Sequence, residues 1–491
     1  MLHSNEYFGI DFGTTNSSVV CVSKAGKAMR IDKLGIYGER PFPSLLVIDK
    51  ITGERYFGEE AWRRRRELSD SCEVISSVKT QIEKDKKWDI AGEIWTPELV
   101  IAQIFISISE TIEEYYGKKI KNPIVSIPIG LSSYKRKVIR KALEKAGIET
   151  AGFINESTAA IFNNYDEVKY HSKLAVFDWG GGTLDISIVE LSGGKVFERA
   201  TNGIQLGGDD IDILLAKWVH AKVAEKKNLN IAFEEMDKTD QDKLITHCEE
   251  IKKQLTYEDV RNISLMKYGV LGSFSIPLDI DTFSELIDPY VNQAIDLLEE
   301  TVKLAGMNMR EITGMIMVGG SSNLRPLHEK IMQKWGQDMD VILPQNPEWN
   351  IAEGAALLNM DSGEFKLNQN IGVLLSDNSF FPLIKRDSVV PTPTPIEYQF
   401  GLVNDSNSGV FIFSDDKMDY YSKERNILDI VTVKTKGFTN ENILLESFVD
   451  KDLVFKANIK SDHLSNRYEE QYEYSNLKFY YKLPYVSGDN K

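Results

Sequence analysis

Residues Leu174–Glu190 read LAVFDWGGGTLDISIVE. The apolar run Leu174–Phe177 has the texture of a buried strand. It ends in Asp178, the glycines Gly180, Gly181 and Gly182, and Thr183, after which alternation resumes through Asp185, Ser187 and Val189. Three glycines between two strands make a tight turn whose backbone, lacking any Cβ, can approach a ligand closely. Successive bare N–H groups in such a turn form a concavity suited to phosphate. Asp178, beside the turn, can hold a metal-bound water or orient an attacking one, and Thr183 adds a hydroxyl donor. Taken alone, an ordinary Gly-rich hairpin accounts for the stretch equally well.

Other segments change that balance. Tyr7–Thr15 reads YFGIDFGTT, again a strand ending in an aspartate, Asp11, followed by Gly13, Thr14 and Thr15. Two copies of strand–Asp–Gly–Thr, far apart in the chain, suggest two related halves whose hairpins clamp one nucleotide. Ile316–Ser322, IMVGGSS, is a strand running into Gly319, Gly320 and Ser321, a turn able to pass under a purine and ribose. Ile154–Ala160, INESTAA, places Glu156 near a helix start, where a carboxylate could hold a magnesium-bound water. The four segments in this order are far more specific than any one of them.

This set resembles the nucleotide-binding domain of the seventy-kilodalton heat-shock chaperones (the heat shock protein 70, DnaK-type, family), within the actin–hexokinase ATPase fold. The motifs that carry the resemblance are IDFGTT (Ile10–Thr15), VSIP (Val125–Pro128), INESTAA, FDWGGGTLD (Phe177–Asp185), LGGDD (Leu206–Asp210) and VGGSS (Val318–Ser322). It implies an α/β protein: an actin-like, hexokinase-like two-lobed ATPase domain over 1–360, a linker at 361–369, and a small antiparallel β-sandwich over 370–491, similar to a peptide-binding domain.

The resemblance also implies roles. Gly13–Thr15 and Gly180–Thr183 would cradle the phosphates of ATP or ADP. Asp11, Glu156 and Asp178 would hold Mg²⁺ through water, with K⁺ as an optional further ion. Lys79 would reach the transferring phosphoryl group, and Asp178 and Thr183 would orient the attacking water. Gly207 and Gly208 would belong to the nucleotide site, and Asp209 falls where the family has a ribose-contacting acid. Glu249 and Lys252 would meet the ribose hydroxyls, while Lys253 and Thr256 would lie against adenine. Pro128 and Arg136 match residues that couple nucleotide state to the next domain; a strand-ending proline and an exposed helix arginine are the plain alternatives. The family follows its Gly-Gly-Ser turn with a base-stacking arginine, but here the residue is Asn323, with Arg325 two positions on as a substitute. Partners implied are unfolded or extended polypeptides, a J-domain co-chaperone and a nucleotide exchange factor.

Composition is consistent with these expectations. At 491 residues, 42% hydrophobic and 27% charged, the chain can bury a sizeable core and exceeds one typical domain. A net charge of −16 argues against nucleic acid as the main partner. The cysteines Cys21, Cys72 and Cys248 show no metal-ligand spacing, which suggests a reducing compartment. With no signal segment and no membrane-spanning apolar run, the expected setting is cytoplasmic.

Local patterns predict a helix over Glu59–Leu68 carrying Arg63–Arg66 on solvated faces, helices over Thr96–Gly117 and Ser133–Ala146, and another from Gly207 to about Lys227. Helices are also predicted over Asp237–Leu255 and from about Asn350 to Leu358. Phe381–Pro391, Ile396–Leu402, Gly409–Ser414, Ile427–Thr435 and Leu453–Ile459 read as strands of the sandwich. No lid-length helical pattern precedes Lys491, so a bound peptide is expected to exchange quickly. Three functional classes remain: an ATP-driven chaperone, which is favoured; a small-molecule kinase on the same fold; and a nucleotide-gated interaction or assembly protein with a slow ATPase and a non-peptide partner on the β-domain.

Overall fold

The computed structural model describes residues 6–32, 41–65, 71–128, 131–361, 365–402, 407–418, 424–436, 441–463 and 468–483. The chain divides into two compact units. The first takes in Met1–Ile129, Val138–Leu191 and Glu198–Asp361; the second takes in Gly130–Lys137, Ser192–Phe197 and Ser362–Lys491.

The first unit is α/β and is built twice on one plan. In its first half, Glu6–Phe12 turns back as Asn16–Ser23 and again as Ala28–Arg30, all antiparallel. On the other side of Glu6–Phe12, Ile124–Ile127 and then Gly152–Asn155 add in parallel. In the second half, Lys173–Trp179 turns back as Leu184–Ser192, whose outer neighbour is Lys195–Ile204. Gly314–Val318 and then Asp340–Ile342 add in parallel on the other side. This repeated hairpin-plus-parallel sheet is the actin-like architecture, and the two Asp–Gly–Thr segments occupy equivalent turns in it.

The central strands of both sheets are largely buried along their length. Ile10, Phe12, Phe177 and Trp179 are fully buried. The helix Asn350–Asp361 lies directly on the first strand, where a Cβ on Gly9 would fall 2.2 Å from the Ala352 carbonyl oxygen. It also meets the helix Glu156–Asn163, where a Cβ on Gly354 would come within 2.0 Å of the Ala159 carbonyl oxygen. Glycine at these two positions lets backbone pack on backbone beneath the nucleotide motifs. In the second half, Gly208–Lys226, Lys238–Gln254 and Ile280–Leu304 enclose a continuous core with Phe177, Leu184, Ile186 and Ile188.

The predicted helices appear as Pro97–Tyr116, capped by Thr96 and ended by a left-handed Gly117, and as Ser133–Lys145. One expectation is corrected. The helix predicted over Glu59–Leu68 is Gly58–Arg64. Arg65 folds back, its guanidinium 3.4 Å from the Trp62 ring centroid and donating to the Trp62 carbonyl oxygen, which satisfies the last turn. Arg66–Leu68 lie outside the described residues.

The second unit holds two four-stranded antiparallel sheets. One runs in the order Phe380–Ile384, Ile371–Leu374, Ser408–Met418, Arg425–Lys434; the other runs Ile396–Gly401, Asn442–Val449, Phe455–Ser461, Glu469–Tyr474. Strict alternation along Asn442–Val449 sends Ile443, Leu445 and Val449 into a core shared with Val373, Leu383, Phe413 and Phe455. Phe413 of one sheet stacks on Tyr472 of the other, with ring centroids 4.2 Å apart.

Here too the local reading is corrected. The run Phe381–Pro391 is two strands, Phe380–Ile384 and Val389–Val390, because Asp387 takes a left-handed conformation between them. The polar stretch at 361–369 contains a strand, Phe365–Leu367, paired with Val389–Val390 on one side and with Phe479–Lys482 on the other. Leu367 is fully buried, and 362–364 lie outside the described residues. Arg136, which belongs to this unit, is buried rather than exposed and donates to the backbone oxygens of Asp452 (2.6 Å) and Leu453 (3.4 Å).

Candidate functional site

The tips of the two hairpins touch. A Cβ on Gly181 would lie 3.0 Å from Thr15 Cγ2, and one on Gly182 would lie 3.1 Å from Thr15 Oγ1. Each hairpin carries an aspartate at the end of its first strand, and each strand's register determines that aspartate's neighbours. Asp11 stands opposite Ser18 on one side and Ser126 on the other, and Ser126 Oγ donates to Asp11 Oδ1 at 2.6 Å. Asp178 stands opposite Asp185 and beside Val318.

Glu156 is the first residue of its helix and accepts a 2.9 Å hydrogen bond from Lys79 Nζ; both side chains are largely buried. Burial disfavours the Lys79 ammonium, but Glu156, Asp11 and Asp185 outweigh it and hold its pKa above the usual lysine value. The acids move the other way. Burial, then the charge of Glu156, pushes Asp11 up to about 6 against the pull of Lys79 and Ser126. Asp185 is likewise pushed up to about 6, with a hydrogen bond from Thr183 and the charge of Lys79 opposing the shift. Asp178 is raised well above the ordinary carboxylate range by burial and by Glu156, Asp11 and Asp185.

Four acids against one ammonium leave uncompensated negative charge in a buried place, which is costly unless protons or a cation offset it. A divalent cation fits that donor set. Among the described residues no three acidic, imidazole or thiol groups converge closely enough to enclose a metal ion directly.

Around the second hairpin the predicted ribose segment is stapled in place. Gly208 N donates to Gly180 O (3.1 Å) and Asp209 N to Gly181 O (2.8 Å), while Ser321 Oγ donates to Gly180 O (2.9 Å). Lys252 Nζ reaches across from its helix to Gly208 O (2.9 Å) and Asp212 Oδ2 (2.8 Å). Burial pushes Asp209 up to about 6 and Asp212 up to about 7, with Lys252 opposing both shifts. Glu249 pairs with Lys253 along the same helix at 2.8 Å, and Thr256 lies in the turn just beyond it. Gly319, left-handed, leads into the short turn Gly320–Asn323. Arg325 is bound to Asp259 Oδ1 (2.8 Å) and the Glu258 carbonyl oxygen (3.2 Å), so it is already engaged where the sequence offered it as a substitute for a base-stacking arginine.

The structure thus gathers Asp11, Thr15, Lys79, Glu156, Asp178 and Gly180–Thr183 into one cluster, with Gly207–Asp209, Lys252 and Ser321 adjoining it. It adds Ser126, Asp185, Asp212 and Glu198. Asp185 had a signal in its alternation opposite Asp178, and Ser126 lay within a quoted strand. Glu198, a half-buried acceptor for side chains of the INEST segment, had none.

The sequence model of the family described as Hsp70 protein matches residues 77–414, well over half of the chain. The match begins two residues before Lys79, covers the INEST, second-hairpin, LGGDD and VGGSS segments, and extends into the β-sandwich. It starts after the first hairpin, whose equivalence to the second is seen in the paired sheets. The chain belongs to the Hsp70 protein family.

Proposed function

We propose that this protein binds Mg²⁺-ATP between the two halves of its first unit, hydrolyses it slowly, and couples nucleotide state to binding of an extended polypeptide by its β-sandwich unit. Family membership supports ATP binding and chaperone-type function in general. The observation that carries the finer reading is the buried Lys79–Glu156 pair at 2.9 Å, set among Asp11, Asp178 and Asp185 at the meeting hairpins. The phosphates of ATP would lie on Gly13–Thr15 and Gly180–Thr183, taking hydrogen bonds from backbone N–H groups and threonine hydroxyls. Asp178 would orient the attacking water, assisted by Thr183, and Lys79 would stabilise charge developing on the transferred phosphoryl group. Asp11, Glu156 and Asp178 would hold Mg²⁺ through water, and the ion would neutralise phosphate charge. Gly207–Asp209, Glu249 and Lys252 would take the ribose, and Lys253, Thr256, Gly319–Ser321 and Asn323 the base. J-domain and exchange-factor partners and a cytoplasmic setting belong to the same proposal. The setting is supported by three free, buried thiols and by the lack, among the described residues, of any helix long and apolar enough to cross a membrane.

A second reading, a nucleotide-gated interaction protein with another partner on the β-unit, is favoured by Asn323 at the stacking position together with the engagement of Arg325 by Asp259. Single-turnover ATP hydrolysis with and without an extended apolar peptide separates the two, with Lys79→Ala as the blank. Acceleration by peptide supports the chaperone. Hydrolysis indifferent to peptide supports the gated module, and no hydrolysis above the blank refutes both.

A further inference from the structure

The helix Glu156–Asn163 begins in an unusual way. Its N-cap residue is Asn155, a type that ordinarily accepts from a first-turn backbone N–H, yet its side chain makes no cap bond. Its amide donates instead to Glu198 Oε2. Two hydroxyls of the same turn converge on the other oxygen: Ser157 Oγ and Thr158 Oγ1, the latter at 3.2 Å, both meet Glu198 Oε1. Glu198 sits on the strand Lys195–Ile204, remote in sequence from the turn it holds. The clamped residues bracket Glu156 on both sides, while Glu156 itself turns to Lys79.

We infer that Glu198 is a positioning residue: by gathering the side chains of Asn155, Ser157 and Thr158 it sets the direction of Glu156, and so of Lys79, in the nucleotide site. This rests on the ATPase reading above. A carboxylate taking three donors is held firmly, because each of those donors would otherwise be left poorly satisfied in a partly buried place. Misplacing a catalytic group by an ångström costs on the order of 100-fold in rate while leaving substrate affinity largely intact. A role confined to helix capping predicts something different: lower melting temperature, with hydrolysis and affinity unchanged in the folded protein.

The test uses the full chain and three variants. Glu198→Ala is expected to slow single-turnover hydrolysis on the order of 100-fold, with ATP affinity, read by a fluorescent nucleotide, within about threefold of the parent. Glu198→Gln is expected to restore the rate to within about threefold, since its amide oxygen still accepts from both hydroxyls and Asn155 can reorient toward its amide nitrogen. Ser157→Ala removes one donor and is expected to slow hydrolysis by about tenfold; it carries the test if Glu198→Ala does not fold. Backbone hydrogen exchange on the nucleotide-free protein supplies a readout independent of activity. Amides 155–158 are expected to exchange about tenfold faster in Glu198→Ala and at the parent rate in Glu198→Gln. Parent-like hydrolysis in Glu198→Ala and Ser157→Ala, or a Glu198→Gln variant as slow as Glu198→Ala, overturns the inference. Should the parent show no hydrolysis, the ATPase reading fails by itself. Unchanged exchange at 155–158 in Glu198→Ala would then overturn the positioning role separately.

Discussion

The two halves of the first unit place an aspartate at the end of the same strand of the same sheet and then surround it differently. Asp11 has a serine across each strand boundary, Ser18 and Ser126, and takes a hydrogen bond from the second. Asp178 has an aspartate on one side and a valine on the other. Like charges opposed across a hairpin repel, and a valine offers no donor to relieve the charge. Burial, then Glu156, pushes Asp11 up to about 6 against Lys79 and Ser126, whereas burial, then Glu156 and Asp11, and only after them Asp185, raises Asp178 well above the carboxylate range. The duplication preserved the scaffold and made the chemistry unequal. The first hairpin's acid has a hydroxyl donor in Ser126, which the second hairpin's acid lacks across its strand boundaries, while Lys79 opposes the shift of both.

Lys79 is the cation both halves share, so its loss has the largest expected effect. Lys79→Ala should lower single-turnover hydrolysis on the order of 100- to 1,000-fold, with nucleotide affinity changed by only a few fold. An equal loss of affinity would show instead that the lysine serves binding.

Next comes the opposed pair. Because Asp185 has a folded pKa of about 6 against an ordinary 3.8, the folded state binds this proton more tightly than the unfolded state does. Its stabilising contribution is present below the ordinary value and is lost as pH rises through the raised one, amounting to about 3 kcal/mol. Denaturant melts of the nucleotide-free protein from pH 4 to 7 should therefore show Asp185→Asn gaining on the parent as pH rises. Saturating Mg²⁺-ADP should shrink the gap. A constant difference across that range would mean that burial and the charge of Glu156 do not hold the Asp185 proton in the folded state.

A smaller change converts the first half toward the second. Ser126→Val removes the donor to Asp11 and should weaken Mg²⁺-nucleotide binding by about tenfold at neutral pH, measured by calorimetry, because a hydrogen bond to a charged group is lost. No change would show that Asp11 does not depend on the Ser126 hydroxyl. The smallest effect is expected at Ser18, whose buried Oγ has no hydrogen-bond partner among the described residues. Ser18→Ala should alter stability by no more than about 0.5 kcal/mol in either direction. A larger loss on melting would assign that hydroxyl a role toward the Asp11 carboxylate.

The duplicated hairpins, the Gly-Gly-Ser turn, the INEST helix start and most helices could be read from residues alone. Each is a local device: a turn needs glycine where backbone must come close, a strand shows its period over a few residues, and a cap declares itself within one turn. Thr96 and Gly117 mark both ends of their helix in this way. What lay beyond such reading is the company each buried charge keeps. Ser126 reaches Asp11 because two distant strands pair in parallel with one particular register, and Glu198 reaches the INEST turn across 40 or more residues. Arg325 is paired with Asp259, Arg136 is buried against backbone carbonyls, and the polar stretch before the sandwich supplies a strand with Leu367 fully buried. The free energy of a buried ion depends on donors and charges within a few ångströms, and the folded chain assembles those from segments with no local mark of their association. Residue order was enough for the glycine-rich turns; the burial and the neighbours of the acids beside them come from nonlocal pairing and packing.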